Sequence, residues 1–262
     1  KGIIEVANIS DTGLKRPHNE DSAVTDTALG LAVVADGMGG YNAGEIASGM
    51  ATAFIKSELA RWLAQAGPQA KTAEVRRAIE ICVDNANLSI FNASKSNPQY
   101  SGMGTTLVMG VFQDARLLLG HIGDSRCYRL RGHEFLQITK DHSMLQEQID
   151  AGLLTPEQAA TSANKNLVTR ALGVEDSVMV ELNEHHVEPG DLYLMCSDGL
   201  SDMLEDEAMA RILHNRSSLE NMAAELVTMA NENGGRDNIT VLLTQVEASS
   251  EKRGLIARLL GK

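Results

Sequence analysis

The sequence predicts an α+β fold built on antiparallel sheets. Two long helix-period segments stand together in the first third of the chain. Short apolar runs separated by turn signals follow them. The strands are grouped apart from the helix pairs rather than alternating with them one for one. At 262 residues and 43% hydrophobic content, the chain can bury a substantial core. Aromatics make up only 3%, so that core is mainly aliphatic and Met.

In chain order, IIEVANIS (3–10) reads as a first strand, and Leu31–Ala35 as a buried one. Residues 43–66 read as a long helix with Ile46, Met50, Ala53, Phe54 and Ala60 at helical spacing, stopped by Gly67-Pro68. Thr72 to about Ser96 reads as a second helix, with Val75, Ile79, Val83, Ala86 and Ile90 on one stripe. The short connection makes the two antiparallel neighbours. TTLVMGVF (105–112), RLLLGHIG (116–123), CYRLR (127–131) and EFLQI (134–138) form a meander pattern. Residues 142–173 turn polar and helical, with Thr155-Pro156-Glu157-Gln158 as a helix start. Strands return at 178–186 and 191–197, a helical stretch broken near Arg216-Ser217-Ser218 spans 205–233, and Thr240–Val246 is the last strand.

A formal net charge of −12 argues against nucleic acid as a partner, because phosphate neutralisation needs clustered Lys and Arg. Cys82, Cys127 and Cys196 form no CxxC pair and sit in apolar or strand-like contexts. They read as inert buried thiols, which suits a reducing cytoplasm. No apolar run approaches the ~18 residues of a membrane helix. KGIIEVANIS lacks the apolar region of a signal peptide, and its start at Lys rather than Met raises the expectation that residues have been trimmed.

Acidic residues punctuate the strands. Asp36-Gly37 ends one apolar run, Asp198-Gly199 another, and Asp124 follows a third. Asp237 precedes the last strand, and Glu20-Asp21 follows the first strand and a loop. One such site is most simply a turn. Five strand ends of one sheet system can converge on one edge, where strands hold side chains rigidly. Converging carboxylates repel, and a cation resolves the repulsion. Oxygen donors suit Mg²⁺ or Mn²⁺ rather than Zn²⁺. Gly37, lacking a Cβ, can offer its carbonyl to a cation. Two such cations activate a water for in-line attack on phosphorus. Arg16, four residues before Glu20, is the matching phosphate clamp. No HxxxH or HExxH occurs, and adjacent His185 and His186 face opposite sides of a strand. His121 reads as a hydrogen-bonded core residue rather than a ligand.

These residues resemble a known family. Arg16-x-x-x-Glu20-Asp21, Asp36-Gly37-Met38-Gly39-Gly40, Gly104-Thr105-Thr106, Gly123-Asp124-Ser125-Arg126, Asp141-His142-Ser143, Ser197-Asp198-Gly199 and Gly235-Arg236-Asp237-Asn238 occur in the order seen in the metal-dependent protein phosphatases of the 2C type. The likeness is greatest to compact bacterial members that oppose Ser/Thr kinases. The resemblance implies a β-sandwich of two antiparallel sheets flanked by antiparallel helix pairs, in a single domain over residues 1–246. It implies hydrolysis of phosphoserine and phosphothreonine at a centre of two Mn²⁺ or Mg²⁺ ions with a weaker third, and the chain itself is expected to be a cytoplasmic monomer. It places Asp36 between two cations, the Gly37 carbonyl on the first, and Asp198 and Asp237 on the second. Glu20 and Asp21 hold waters, Asp124 belongs to the third cation, and Arg16 clamps the substrate phosphate. Residues about 144–173 match a variable flap, in which Gly152 and Asn164 suit a mobile gate.

Met38 departs from the animal-type pattern, where a His proposed as general acid follows Asp-Gly. Met cannot donate a proton usefully, so His18 and His142 are the neighbouring alternatives. Two other readings are a catalytically dead binding module, against which the full carboxylate set argues, and a metal-dependent nuclease or small-molecule phosphatase. The acidic charge disfavours the nuclease. The tail 247–262 carries Lys252, Arg253, Arg258 and Lys262 with Leu255, Ile256, Leu259 and Leu260 on a helical stripe. It reads either as a helix packed on its own domain or as a membrane or partner contact.

Overall fold

The computed structural model describes residues 4–162 and 167–247. The chain opens with β1 (Ile4–Asp11), β2 (Asp21–Asp26) and β3 (Leu31–Met38), followed by helices α1 (Ala43–Ala66) and α2 (Thr72–Ser96). A run of strands comes next: β4 (Gly104–Thr105), β5 (Leu107–Gln113), β6 (Arg116–Ile122), β7 (Arg126–Arg131) and β8 (Glu134–Gln137). Two short helices, α3 (Met144–Asp150) and α4 (Pro156–Ala159), precede β9 (Glu181–His186) and β10 (Leu192–Cys196). Helices α5 (Asp198–Ser201), α6 (Asp206–His214) and α7 (Leu219–Glu232) lead into β11 (Ile239–Val246).

The strands form two antiparallel sheets. One runs β1-β11-β10-β7-β8; the other runs β2-β3-β5-β6-β9, with β4 paired to β3. Alternation along each strand feeds three apolar layers. Leu31, Val33 and Ala35 of β3 pack with α1 and α2, while Ala32 and Val34 face the opposite sheet. Leu192, Leu194 and Cys196 of β10 pack with α6 and α7, while Tyr193 and Met195 join the layer between the sheets. The expected sandwich flanked by helix pairs is therefore present. Because helices cover both outer faces, the central strands read as continuous apolar runs rather than alternating ones.

The α2 stripe Val75, Ile79, Val83, Ala86 and Ile90 is fully buried as expected. The α1 stripe differs. Ala43, Ala47, Ala51, Ile55, Leu59 and Leu63 form the buried face, Ala53 is exposed, and Ile46, Met50, Phe54 and Ala60 pack at its margins. Ala43, Ala47 and Ala51 let the first half of the helix approach the sheet closely, and hydrophobic spacing underweights such small residues, whereas Ile55, Leu59 and Leu63 carry the face in the second half. Segment 142–173 holds less helix than its pattern predicts: α3 ends at Asp150, with Gly152 (φ +75°) just beyond its C-cap Ala151, and α4 is a single turn opened by a Thr155–Gln158 capping box. The strand expected from 178 begins at Glu181. Strand β2, reading DSAVTD, went unforeseen because it is partly buried throughout and carries no apolar run. Among the described residues no helix is long and apolar enough to cross a membrane. The tail from 248 onward and Asn164 lie outside the described residues.

Candidate metal centre

Asp21 opens β2 and stands directly opposite Asp36 of β3 in the antiparallel ladder. Directly opposed residues share a face, so both carboxylates leave the sheet on the same side. The other sheet brings Asp198, which follows β10, and Asp237, which precedes β11. Asp124 follows β6 through Gly123, at φ +102°. The carboxylates thus converge from both sheets across the mouth of the sandwich, rather than along one edge.

Local hydrogen bonds fix them there. Ser197 Oγ and Thr240 Oγ1, on the second sheet, donate to Asp21 Oδ2 at 2.8 and 2.7 Å. The Asp36 amide donates to Thr106 Oγ1 at 3.0 Å, and the Thr106 amide to the Asp36 carbonyl at 2.9 Å. This exchange interrupts the ladder between β4 and β5, which is why the apolar run 105–112 is two strands. Asn238 ties three segments: its Oδ1 accepts from the Glu20 amide (2.9 Å), and its Nδ2 donates to the carbonyls of Thr12 (2.9 Å) and His18 (2.8 Å). The Glu20 carbonyl accepts from the Gly37 amide at 3.0 Å and from Ser48 Oγ at 2.7 Å. Ser197, Thr106 and Asn238 belong to the sequence motifs, but sequence reasoning gave them no role. Ser48 and Thr240 escaped it altogether, since a lone hydroxyl in a helix or strand carries no signal.

The electrostatics are those of a crowded acidic cluster that Arg16 and Arg126 offset only in part. Desolvation, then the charges of Asp21 and Asp198, push the Asp36 carboxyl well above its ordinary range. Desolvation raises Asp21 to about 7, against the hydroxyl donors that lower it. Asp124 is pushed up by desolvation and then by Asp198, Asp141 and Asp202, with Arg126 opposing. Desolvation raises Glu20 and Asp237 as well, with Arg16 opposing in both. Asp21 Oδ1 and Asp198 Oδ1 are buried with no hydrogen-bond partner. Buried acceptors without donors, all of them oxygen, fit hard divalent cations. Arg16 is exposed at the rim, with Nε 3.4 Å from Asp237 Oδ1.

The flap is tied at both ends. The Met144 amide donates to the Leu167 carbonyl, and the Leu172 amide to the Thr105 carbonyl, at 2.9 and 2.8 Å. Gly152 lies in open space on the flap, away from the carboxylates' hydrogen bonds.

His142 does not face the centre as a proton donor. Its Nδ1 accepts from the Gly123 amide at 3.0 Å, so the neutral ring carries its proton on Nε2, 3.6 Å from Glu181 Oε2. Burial, then His121 and Arg170, lowers its pKa to about 4. His121 stacks on it at 4.6 Å, and its Nε2 contacts the Lys140 carbonyl (2.8 Å) and Glu181 Oε2 (3.0 Å). A carbonyl only accepts, so this nitrogen also carries hydrogen. The two histidines and Glu181 lie close enough together to suggest a metal site, yet both imidazoles present N–H rather than a lone pair. Only His121 reaches Glu181 within hydrogen-bond distance, while the buried Nε2 of His142 has no hydrogen-bond partner among the described residues, and His121 is the buried core histidine expected from sequence. His18 is exposed, and its charge reaches Glu20.

Comparison with known proteins places this geometry. Residues 17–244 match the family model described as Protein phosphatase 2C. The serine/threonine phosphatase stp of Listeria monocytogenes is 34% identical over 247 residues, covering 93% of this chain and 96% of that protein. A crystal structure of the serine/threonine phosphatase PstP/Ppp of Mycobacterium tuberculosis superposes with a TM-score of 0.84 at 37% identity, covering 94% of this chain and 99% of the other. A structure of the PstP catalytic domain in complex with two manganese ions gives 0.82 at 37% identity, covering 95% of this chain and 100% of the other. The chain belongs to the protein phosphatase 2C family.

Proposed function

We propose that this chain is a protein serine/threonine phosphatase that hydrolyses phosphoserine and phosphothreonine with water activated at a pair of Mn²⁺ or Mg²⁺ ions. The observation that carries the reading is the convergence of five carboxylates from two sheets, with buried oxygens of Asp21 and Asp198 left without donors. In this reading Asp36 and the Gly37 carbonyl would hold the first cation, and Asp36, Asp198 and Asp237 would hold the second. Glu20 and Asp21 would hold waters of the cations in place, and Asp124 would serve a weaker third ion. When bound, the cations neutralise the carboxylates, polarise the phosphate and acidify water. Arg16 draws the phosphate dianion to the rim and fixes two of its oxygens, a geometry a guanidinium matches. The contact with Asp237 keeps that guanidinium beside the centre. Position 38 supplies no proton, and the tautomer of His142 turns its N–H toward Glu181, so the leaving oxygen takes its proton from water rather than from either residue.

Each sheet contributes carboxylates, so residues 1–246 act as one catalytic unit. The buried free thiols Cys82, Cys127 and Cys196 support a cytoplasmic setting, and the names of the relatives support action on phosphoproteins that a Ser/Thr kinase has modified. The test is phosphate release from a phosphothreonine peptide and from an aryl phosphate. Mn²⁺-dependent release abolished by chelation is expected. Release that persists in chelator, or none on either substrate, would contradict the proposal.

A further inference from the structure

We propose that the cleft between the flap and α6 receives the segment flanking the phosphorylated residue of the substrate protein, and selects segments that carry lysine or arginine. The inference rests on the phosphatase reading and adds a substrate class to it.

The cleft encloses about 920 Å³. Asp124 and Asp198 line its inner end, so it opens on the carboxylate centre. The flap helices form one wall, with Leu145, Ile149 and Glu157; the opposite wall carries Glu205, Asp206 and Glu207 at the start of α6. Those four acidic side chains make no hydrogen bond or ion pair among the described residues. Acidic residues in a first turn complement the helix dipole, which accounts in part for Asp206 and Glu207. It does not account for Glu157 on the facing wall, nor for Glu205, which sits at the N-cap position without using its side chain to cap.

Among the described lining residues the one cation, Arg126, is already engaged. Its Nε and Nη2 lie 2.9 and 2.7 Å from Asp141, and its Nη1 donates to Tyr128 at 2.9 Å. The described walls therefore carry an excess of negative charge that Arg126, paired with Asp141, offsets only in part at Asp124 and Asp206, and walls of one sign concentrate ligands of the other. Asp124, only 9% exposed and lining the cleft, joins it to the cation centre, where it is given the weaker third ion, so the selection of basic segments rests on the outer walls. Leu145 and Ile149 give the methylene stems of lysine and arginine an apolar surface while their heads reach the carboxylates.

The experiment uses the whole chain with Mn²⁺ and three substrates: a phosphothreonine peptide flanked on both sides by Lys and Arg, the same core flanked by Glu, and an aryl phosphate that reports each variant's chemistry. The variants are the triple substitution Glu205→Gln/Asp206→Asn/Glu207→Gln and, on the facing wall, Glu157→Gln alone, which leaves α6 intact. The basic peptide should exceed the acidic one in kcat/KM by about tenfold, chiefly through KM, since several exposed charge pairs each contribute modestly. The preference should fall to about threefold or less in the triple variant, weaken in Glu157→Gln, and shrink at high salt in the parent chain. Equal turnover of the two peptides, or a preference that both variants retain, would overturn the inference and leave the phosphatase reading standing. No turnover of any substrate would overturn both.

Discussion

Gly37 of β3 lies directly against Gly44 of α1. A Cβ on Gly37 would overlap the Gly44 carbonyl and stand 2.8 Å from the Glu20 carbonyl oxygen; one on Gly44 would stand 2.7 Å from Glu20 Oε2. Two glycines therefore let a strand, a helix and a candidate metal-site glutamate meet at one point. Gly37→Ala should cost about 3 kcal/mol, the upper end for overpacking, because the obstruction is backbone on both sides. Gly40→Ala, with nothing within 4 Å, should change stability by less than about 1 kcal/mol. Thermal melts of both variants check the contrast, and equal melting temperatures would contradict it.

Asp36→Asn separates stability from function. Asp36 is repelled by Asp21 and Asp198 when no cation is present. Removing its charge should leave the melting temperature of the metal-free protein unchanged or raised. The same change should lower Mn²⁺-dependent turnover by about 100-fold or more, the scale seen when one preorganised electrostatic group is removed from a reaction centre. Melts in chelator alongside phosphate-release rates decide this, and a variant with parental turnover would refute the role given to Asp36.

Proton linkage gives a second handle. In the metal-free fold Asp21 keeps its proton up to about pH 7, whereas an unfolded aspartate loses it near 4. Between those values the unfolded chain binds fewer protons, so this group makes stability fall as pH rises from about 4 to 7. A bound cation replaces the proton. The gain in melting temperature on adding Mn²⁺ should therefore be larger at pH 8 than at pH 5.5, and binding near pH 6.5 should release protons. Calorimetric titration in two buffers of different ionisation heat measures that release; identical heats would contradict it.

His142 has the opposite sign. It titrates near 6.5 when unfolded and at about 4 when folded. The unfolded chain binds the extra proton between those values, so the stabilisation is full above about pH 6.5 and is lost as pH falls towards 4. Imidazole shifts followed by NMR should place His142 near 4, and a midpoint near 6.5 would show that its Nδ1 does not accept from Gly123 as described.

Much of this was legible in the sequence. The helices at 43–66 and 72–96 announced themselves by period and by the Gly67-Pro68 stop, and Asp36, Asp124, Asp198 and Asp237 by standing where apolar runs meet turns. Local pattern could not tell that Asp21 and Asp36 face each other across β2 and β3, because β2 has no apolar signature. Nor could it assign Asp198 and Asp237 to a different sheet from Asp36, since sheet membership is set by long-range pairing. The α1 stripe misled because close helix–sheet packing selects alanine, which hydrophobic spacing underweights. The supporting hydroxyls of Ser48 and Thr240 act only through contacts that the fold creates.

The central claim is that Asp36, Asp198 and Asp237, together with the Gly37 carbonyl, form a two-cation centre. Anomalous diffraction from crystals soaked in Mn²⁺ tests it directly. Two strong peaks are expected, both within coordinating distance of the Asp36 carboxylate, one beside the Gly37 carbonyl and the other beside Asp198 and Asp237. Manganese at the His121–His142–Glu181 group, or no peak at Asp36, would contradict it.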